Sequence, residues 1–144
     1  MPKLRWYEKS ERNVMRAVID TNVLVSALLT PSGVPARLIL AIRSRALIPV
    51  VSLDILAEYA EVLNRSRFSF AKDRVVSLLE DMEGLAIFLR PQAVPFRDLP
   101  DADDVPFIAA ALAADCVVIT GNGKHFPAIT GVKILTPAEA LALL

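Results

Sequence analysis

Five short, mostly apolar runs recur along the chain, at residues 16–19, 47–51, 86–89, 116–119 and 133–135, and the longer stretches between them carry helical spacing. The runs are continuous rather than alternating, as in strands covered on both faces. Strands that alternate with helices need crossover connections, and crossovers make neighbouring strands parallel. The chain therefore reads as an α/β protein, a three-layer α/β/α sandwich with a mainly parallel central sheet. Helices are expected at 22–29, 35–45, 53–64, 71–83 and 106–114. Ser52 suits the cap of the third, and Gly84 the end of the fourth. The helix at 106–114 is apolar on every side, which predicts burial. Thr136, Pro137 and Glu139 form a capping box with proline in the first turn, opening a last helix.

The 144 residues match one ordinary domain, and residues 15–144 read as that domain. Residues 1–14 are mostly polar and read either as an N-terminal extension or as a mis-called start, with Met15 the natural first residue. A hydrophobic share of 54% excludes a disordered chain and favours a buried surface between copies, hence a homodimer. Sixteen Lys and Arg balance sixteen Asp and Glu, which excludes a strongly basic coat but not a local basic patch. One cysteine, Cys116, and one histidine, His125, exclude an intrachain disulfide and a Cys/His zinc cluster. Cys116 is expected as a small buried hydrophobe in its strand. No apolar run approaches the roughly 20 residues of a membrane span, and the start lacks the apolar stretch of a signal peptide. A cytoplasmic protein without a membrane partner is the expectation.

In parallel sheets, ligands sit outside the carboxyl ends of the strands. Asp20 follows the first run, and Thr120, Gly121 and Asn122 follow the fourth. Asp98, Asp101, Asp103 and Asp104 crowd the segment before the apolar helix. Carboxylates gathered at one edge repel one another unless a cation or proton lies between them. Donors that are all oxygen select Mg²⁺ or Mn²⁺. Each group also has a plainer reading. Asp20-Thr21-Asn22 suits a helix cap, Asp101 to Asp104 a solvated loop with a cap, and Thr-Gly-Asn-Gly a turn. On a helical projection the apolar face of 53–64 runs through Leu53, Leu56, Ala60 and Leu63. This sets Glu58 on the polar face with Asp54, Glu61 and Arg65, although Ile55 and Val62 leave it at the border. No Gly-rich triphosphate-binding loop occurs in the sequence.

Four segments in order carry a family resemblance. Val18-Ile19-Asp20-Thr21-Asn22-Val23-Leu24-Val25-Ser26 resembles the opening motif of PIN-domain nucleases, and Ser52 to Leu63 their second. Asp101-Ala102-Asp103-Asp104-Val105-Pro106-Phe107 resembles the third, and Val118 to Pro127 the fourth. The likeness spans about Met15 to the C-terminus and is to the branch of VapC-related toxins of toxin–antitoxin systems. It implies that Asp20, Glu58 and Asp104 are the catalytic, metal-holding acids, against the periodicity at Glu58. Asp101 would be a supporting acid, and Asp103 exchanges with Asp104 if the motif shifts by one residue. Asn22 and Ser26 match polar residues that brace such a site, beside Thr120 and Asn122. Asn122 departs from the family, which often has an acid there, and this puts a second metal in doubt.

The implied activity is hydrolysis of RNA phosphodiester bonds with Mg²⁺ or Mn²⁺, by a metal-activated water. Arg65, Arg67 and Lys124 are candidates for contact with RNA phosphates, or else ordinary solvated cations. His125 reads as a loop residue rather than a general base. The implied partners are RNA, a small antitoxin protein and a second copy of the chain. The alternative is a catalytically silent PIN fold that binds RNA or protein. A phosphotransfer enzyme with Asp20 as covalent nucleophile is a third reading.

Overall fold

The sheet has the strand order β3-β2-β1-β4-β5, and every pairing between neighbours is parallel. The structure, a computed structural model, describes residues 14–90, 104–123, 126 and 131–144. Along these residues run β1 (Met15–Ile19), α1 (Thr21–Leu29), α2 (Val34–Arg43), β2 (Leu47–Val51), α3 (Leu53–Leu63), a 3₁₀ turn (Ser66–Phe68), α4 (Lys72–Gly84), β3 (Ile87–Phe88), α5 (Val105–Ala114), β4 (Val117–Ile119), β5 (Ile134–Leu135) and α6 (Pro137–Ala142). The expected α/β order and parallel sheet are both present. Boundaries differ by a residue or two, and α4 runs through Gly84 instead of stopping before it.

β1 lies at the centre, and its last three residues, Ala17, Val18 and Ile19, are buried. Its register aligns Met15 with Leu47 on one flank and Ile19 with Ile119 on the other. Pro49 in β2 has no N–H to give a ladder, yet β2 is internal. The register resolves this, because β3 pairs only with Val50 and Val51, beyond the proline. Two caps match expectation. Ser52 Oγ accepts from the Ile55 N–H, and Thr136 with Glu139 completes the capping box.

Three expectations need correction. The buried face of α3 is Ile55, Tyr59, Val62 and Leu63, whereas Leu53 is 69% exposed. The helical projection counts Leu53 with the apolar face, but it is the first residue of the helix and clears the sheet. Cys116 is only half-buried and precedes β4. Desolvation pushes its thiol pKa up, so alkylation at neutral pH should be slower than for an ordinary thiol and complete only on unfolding. Mass spectrometry of iodoacetamide-treated native and denatured protein checks this. α5 has a buried face from Phe107 to Ala111, but Leu112 is 41% exposed. Among the described residues no single helix is long and apolar enough to cross a membrane.

Candidate active site at the carboxyl edge of the sheet

The strand order turns back between β1 and β4. The chain builds outward from β1 to β3, then returns to place β4 on the other flank of β1. A crevice opens outside the carboxyl ends of two strands whose connections leave in opposite directions. Asp20 stands there after β1 and Thr120 after β4, joined by the Asp20 N–H to the Ile119 carbonyl at 2.9 Å.

Asp20 occupies the N-cap position of α1, and Asp104 that of α5, yet neither side chain caps its helix. Both are buried, at 8% and 7% exposure. Thus the plain capping reading fails for both. An N-cap aspartate stays at the surface and spends its oxygen on an N–H of the first turn, whereas these carboxylates are withdrawn from water without that bond. The Asp20 carboxylate is turned across the crevice instead, where the Thr120 hydroxyl donates to Oδ2 at 2.6 Å. Thr120 Oγ1 in turn accepts from the Asn122 N–H at 3.0 Å. The sequence Thr-Gly-Asn is therefore a turn that also orders the acid. Asn22 Oδ1 accepts from the Gly121 N–H at 3.4 Å and ties the start of α1 to the same turn. Ser26 lies one turn further along α1, half-buried.

Thr120 is 1% exposed. Thr120→Val is expected to cost about 1–3 kcal/mol in a urea titration, because Asp20 loses a buried donor and the Asn122 N–H a buried acceptor. Thr120→Ser should retain most of that stability.

One side chain that the sequence did not single out knits the site together. Tyr59, next to Glu58 on α3, is fully buried. Its hydroxyl donates to the carbonyl of Ile19, the residue before Asp20, at 2.5 Å. Its ring meets that of Phe107, on the first turn of α5 after Asp104, at 6.2 Å between centroids. Tyr59 thus touches all three elements that carry the predicted acids. Burial first, and then the negative charge of Asp20, hold its pKa well above the ordinary value of 10.0, so the phenol is neutral and a donor at any working pH. The available signal was its spacing, four residues after Ile55.

Glu58 is half-buried, unlike the exposed Asp54, Glu61 and Arg65 with which the projection had grouped it. It lies three residues after Ile55 and four before Val62, both buried. Arg65 is bound to Glu61 through two hydrogen bonds, at 2.7 and 3.1 Å. The guanidinium of Arg67 lies 4.8 Å from the centre of the Phe68 ring. Asp101, Asp103 and Lys124 lie outside the described residues.

The donors available are hard in kind, namely carboxylate, hydroxyl and amide oxygen, and two of the carboxylates are buried. That chemistry fits Mg²⁺ or Mn²⁺. Among the described residues, no group of three or more His, Cys, Asp and Glu stands close enough together to hold a metal ion. Ligation of one ion by all three predicted acids therefore requires them to draw closer than they stand here. A cavity of about 400 Å³ lies elsewhere, between α1, α2 and α4, and its lining includes none of these acids.

Comparison with known proteins matches residues 16–124 to the model of the PIN domain. The uncharacterized protein MJ1680 of Methanocaldococcus jannaschii is 29% identical over 118 residues, which cover 80% of this chain and 76% of that protein. Among solved structures, VapBC-1 from nontypeable Haemophilus influenzae superposes with a TM-score of 0.56 at 18% identity, covering 86% of this chain and 99% of that one. VapBC2 from Rickettsia felis, bound to a DNA fragment from its promoter, gives 0.55 at 17% identity, covering 85% and 98%. At such identities the two structures share the fold.

Proposed function

The chain belongs to the PIN-domain family, whose members are generally nucleases, and from that premise we propose that it is a metal-dependent endoribonuclease, the toxin of a toxin–antitoxin pair. The observation that carries the reading is the pair of buried carboxylates, Asp20 and Asp104, each at a helix N-cap and neither capping. Both carboxylates are withdrawn from water beside the carboxyl edge of the sheet, where a bound divalent cation would offset the cost of burying their charge.

In this reading Asp20, Glu58 and Asp104 would hold Mg²⁺ or Mn²⁺. Such an ion activates a water and neutralises phosphate charge. The chain's own residues do the rest. Thr120 fixes the rotation of the Asp20 carboxylate through its hydroxyl. Tyr59 fixes the peptide preceding Asp20 and, through Phe107, the start of α5. Asn22 and Asn122 hold the turn after β4 against α1. Asp101 and Asp103 would support the acids, and Ser26 would brace them from α1. Arg67 and Lys124 would meet RNA phosphates, and Arg65 would do so on leaving Glu61.

The antitoxin and a second copy of the chain are the proposed partners. Exposed Leu29 and Leu40, at 59% and 60%, supply apolar surface near the 400 Å³ cavity. A silent binding module is the second reading, favoured by the spread of the acids and by an amide at Asn122. The test is cleavage of labelled RNA by purified protein with Mn²⁺, Mg²⁺ or EDTA, beside Asp20→Asn and Asp104→Asn. Cutting that needs metal and is lost in both variants is the expected result. Cutting that survives both substitutions sinks the assignment of the acids. Metal binding without cutting moves the reading to the silent module.

A further inference from the structure

The turn joining α3 to α4 carries chemistry that the acidic site does not use. Phe68 and Phe70 stack with 5.2 Å between ring centroids and 7° between planes, and the Arg67 guanidinium lies over the Phe68 ring at 4.8 Å. Phe70 packs on the core, whereas Phe68 belongs neither to the core nor to the side chains packed against it. Phe68 is half-buried and lies in a stack with its sequence neighbours Arg67 and Phe70. Ser69 between the two rings takes a positive φ of 51°, a conformation uncommon for a residue with a side chain. The surroundings are cationic: between residues 66 and 74 stand Arg67, Lys72 and Arg74 against the single acid Asp73, in a chain of zero net charge, while Arg65 is bound to Glu61. Lys72 and Arg74 lie in the first turn of α4, where the helix dipole disfavours positive charge. Helix stability does not account for cations placed there.

Resting on the nuclease reading, the geometry points to a base-stacking subsite for single-stranded RNA: an unpaired nucleobase extends the Arg67–Phe68–Phe70 stack while the neighbouring cations meet the flanking phosphates. Aromatic rings and guanidinium planes are the platforms on which splayed bases stack, and every base presents a face to them. Helix α3 links the subsite to the acids. From Glu58 to its last residue, Leu63, its axis advances about 7.5 Å, and the turn that carries the stack follows within five residues, inside the several nucleotides that single-strand grooves cover. Stacking reads no sequence, so the subsite would position the strand and leave the choice of cleavage site to other contacts.

The experiment is fluorescence anisotropy in EDTA, where no metal-dependent turnover occurs. The probes are a short labelled single-stranded RNA and the same strand with abasic positions. Phe68→Ala is expected to weaken binding of the intact strand roughly ten-fold, within the range for loss of one stacking aromatic, and to leave the abasic strand unaffected. Arg67→Gln should weaken both, since it removes a charge as well as a plane. Phe68→Leu, which keeps apolar bulk without a ring face, should follow Phe68→Ala and serves in its place if that variant melts early. Equal weakening of both strands overturns the subsite, and so does a wild-type protein that binds no RNA. Unchanged RNA binding with reduced self-association in light scattering would assign the turn to a protein contact and also overturn it. The nuclease reading fails separately. RNA binding that depends on Phe68, without metal-dependent cutting, removes the nuclease and keeps the subsite. Cutting with binding indifferent to Phe68 does the reverse.

Discussion

Asp20→Asn is expected to lower metal-dependent RNA cleavage by at least about 100-fold, the size of loss when one electrostatic element of transition-state stabilisation is removed, and yet not to lower the melting temperature. The two halves have one cause. Asp20 is buried at the carboxyl edge of β1 and spends nothing on capping α1. Burying its charge costs solvation that the hydrogen bond from Thr120 offsets only in part. The amide that replaces it can still accept from the Thr120 hydroxyl, so the crevice keeps its hydrogen bond while losing the desolvated charge. Loss of function with retained or increased stability separates a ligand from a structural residue. Differential scanning calorimetry adds a second reading without turnover. Mn²⁺ at about 100 times its dissociation constant should stabilise the wild-type protein by about 2.7 kcal/mol by mass action, and the Asn variant much less. A wild-type melting curve indifferent to Mn²⁺ would argue against the metal site directly.

The second large effect falls on Tyr59. Tyr59→Phe keeps the ring that packs on Phe107 but removes the donor to the Ile19 carbonyl, and should cost about 1–3 kcal/mol in urea. Tyr59→Ala also opens a cavity and should cost about 3–5 kcal/mol. A pH series isolates the hydroxyl. The folded-state pKa of Tyr59 is raised above its ordinary 10.0. Below pH 10 the phenol is neutral in both states and its contribution is complete. As pH climbs above 10, the unfolded chain releases the proton first, so stability falls towards the folded pKa. The part of the alkaline loss due to Tyr59 should vanish in Tyr59→Phe, measured as the difference between the two urea midpoints across that range. Cleavage by Tyr59→Phe should fall through the rate of the bound complex more than through substrate affinity, because the hydroxyl holds the peptide before Asp20 and is fully buried.

Local rules make much of this architecture legible in the sequence. The five apolar runs became the five described strands, and both predicted caps closed with the expected bonds. What local rules could not reach was the partnership between distant residues. Thr120 and Asp20 are 100 positions apart, and nothing in either neighbourhood announces that one holds the other. The α3 face failed for a different reason. A projection weights every leucine equally, but Leu53 at the first helical position lies beyond the sheet while Tyr59, half polar by composition, fills the centre of the molecule. Glu58 inherits its half-buried place from that rotation. Only the family resemblance had marked it, since a carboxylate beside a buried tyrosine looks like any surface acid in a hydropathy pattern.

The pairing of β1 with β4 also sets a timetable. β1 is synthesised about 100 residues before β4, so its second flank stays open until Val117–Ile119 arrive. Until then Asp20 has neither the Ile119 carbonyl for its N–H nor the Thr120 hydroxyl for its carboxylate. Contacts of such long sequence separation close late, after the loop entropy between them has been overcome. An unfinished chain therefore carries the acids but lacks the arrangement that orders them. The order that Thr120 imposes on Asp20 is therefore a property of the assembled sheet and not of the segment that carries the acid.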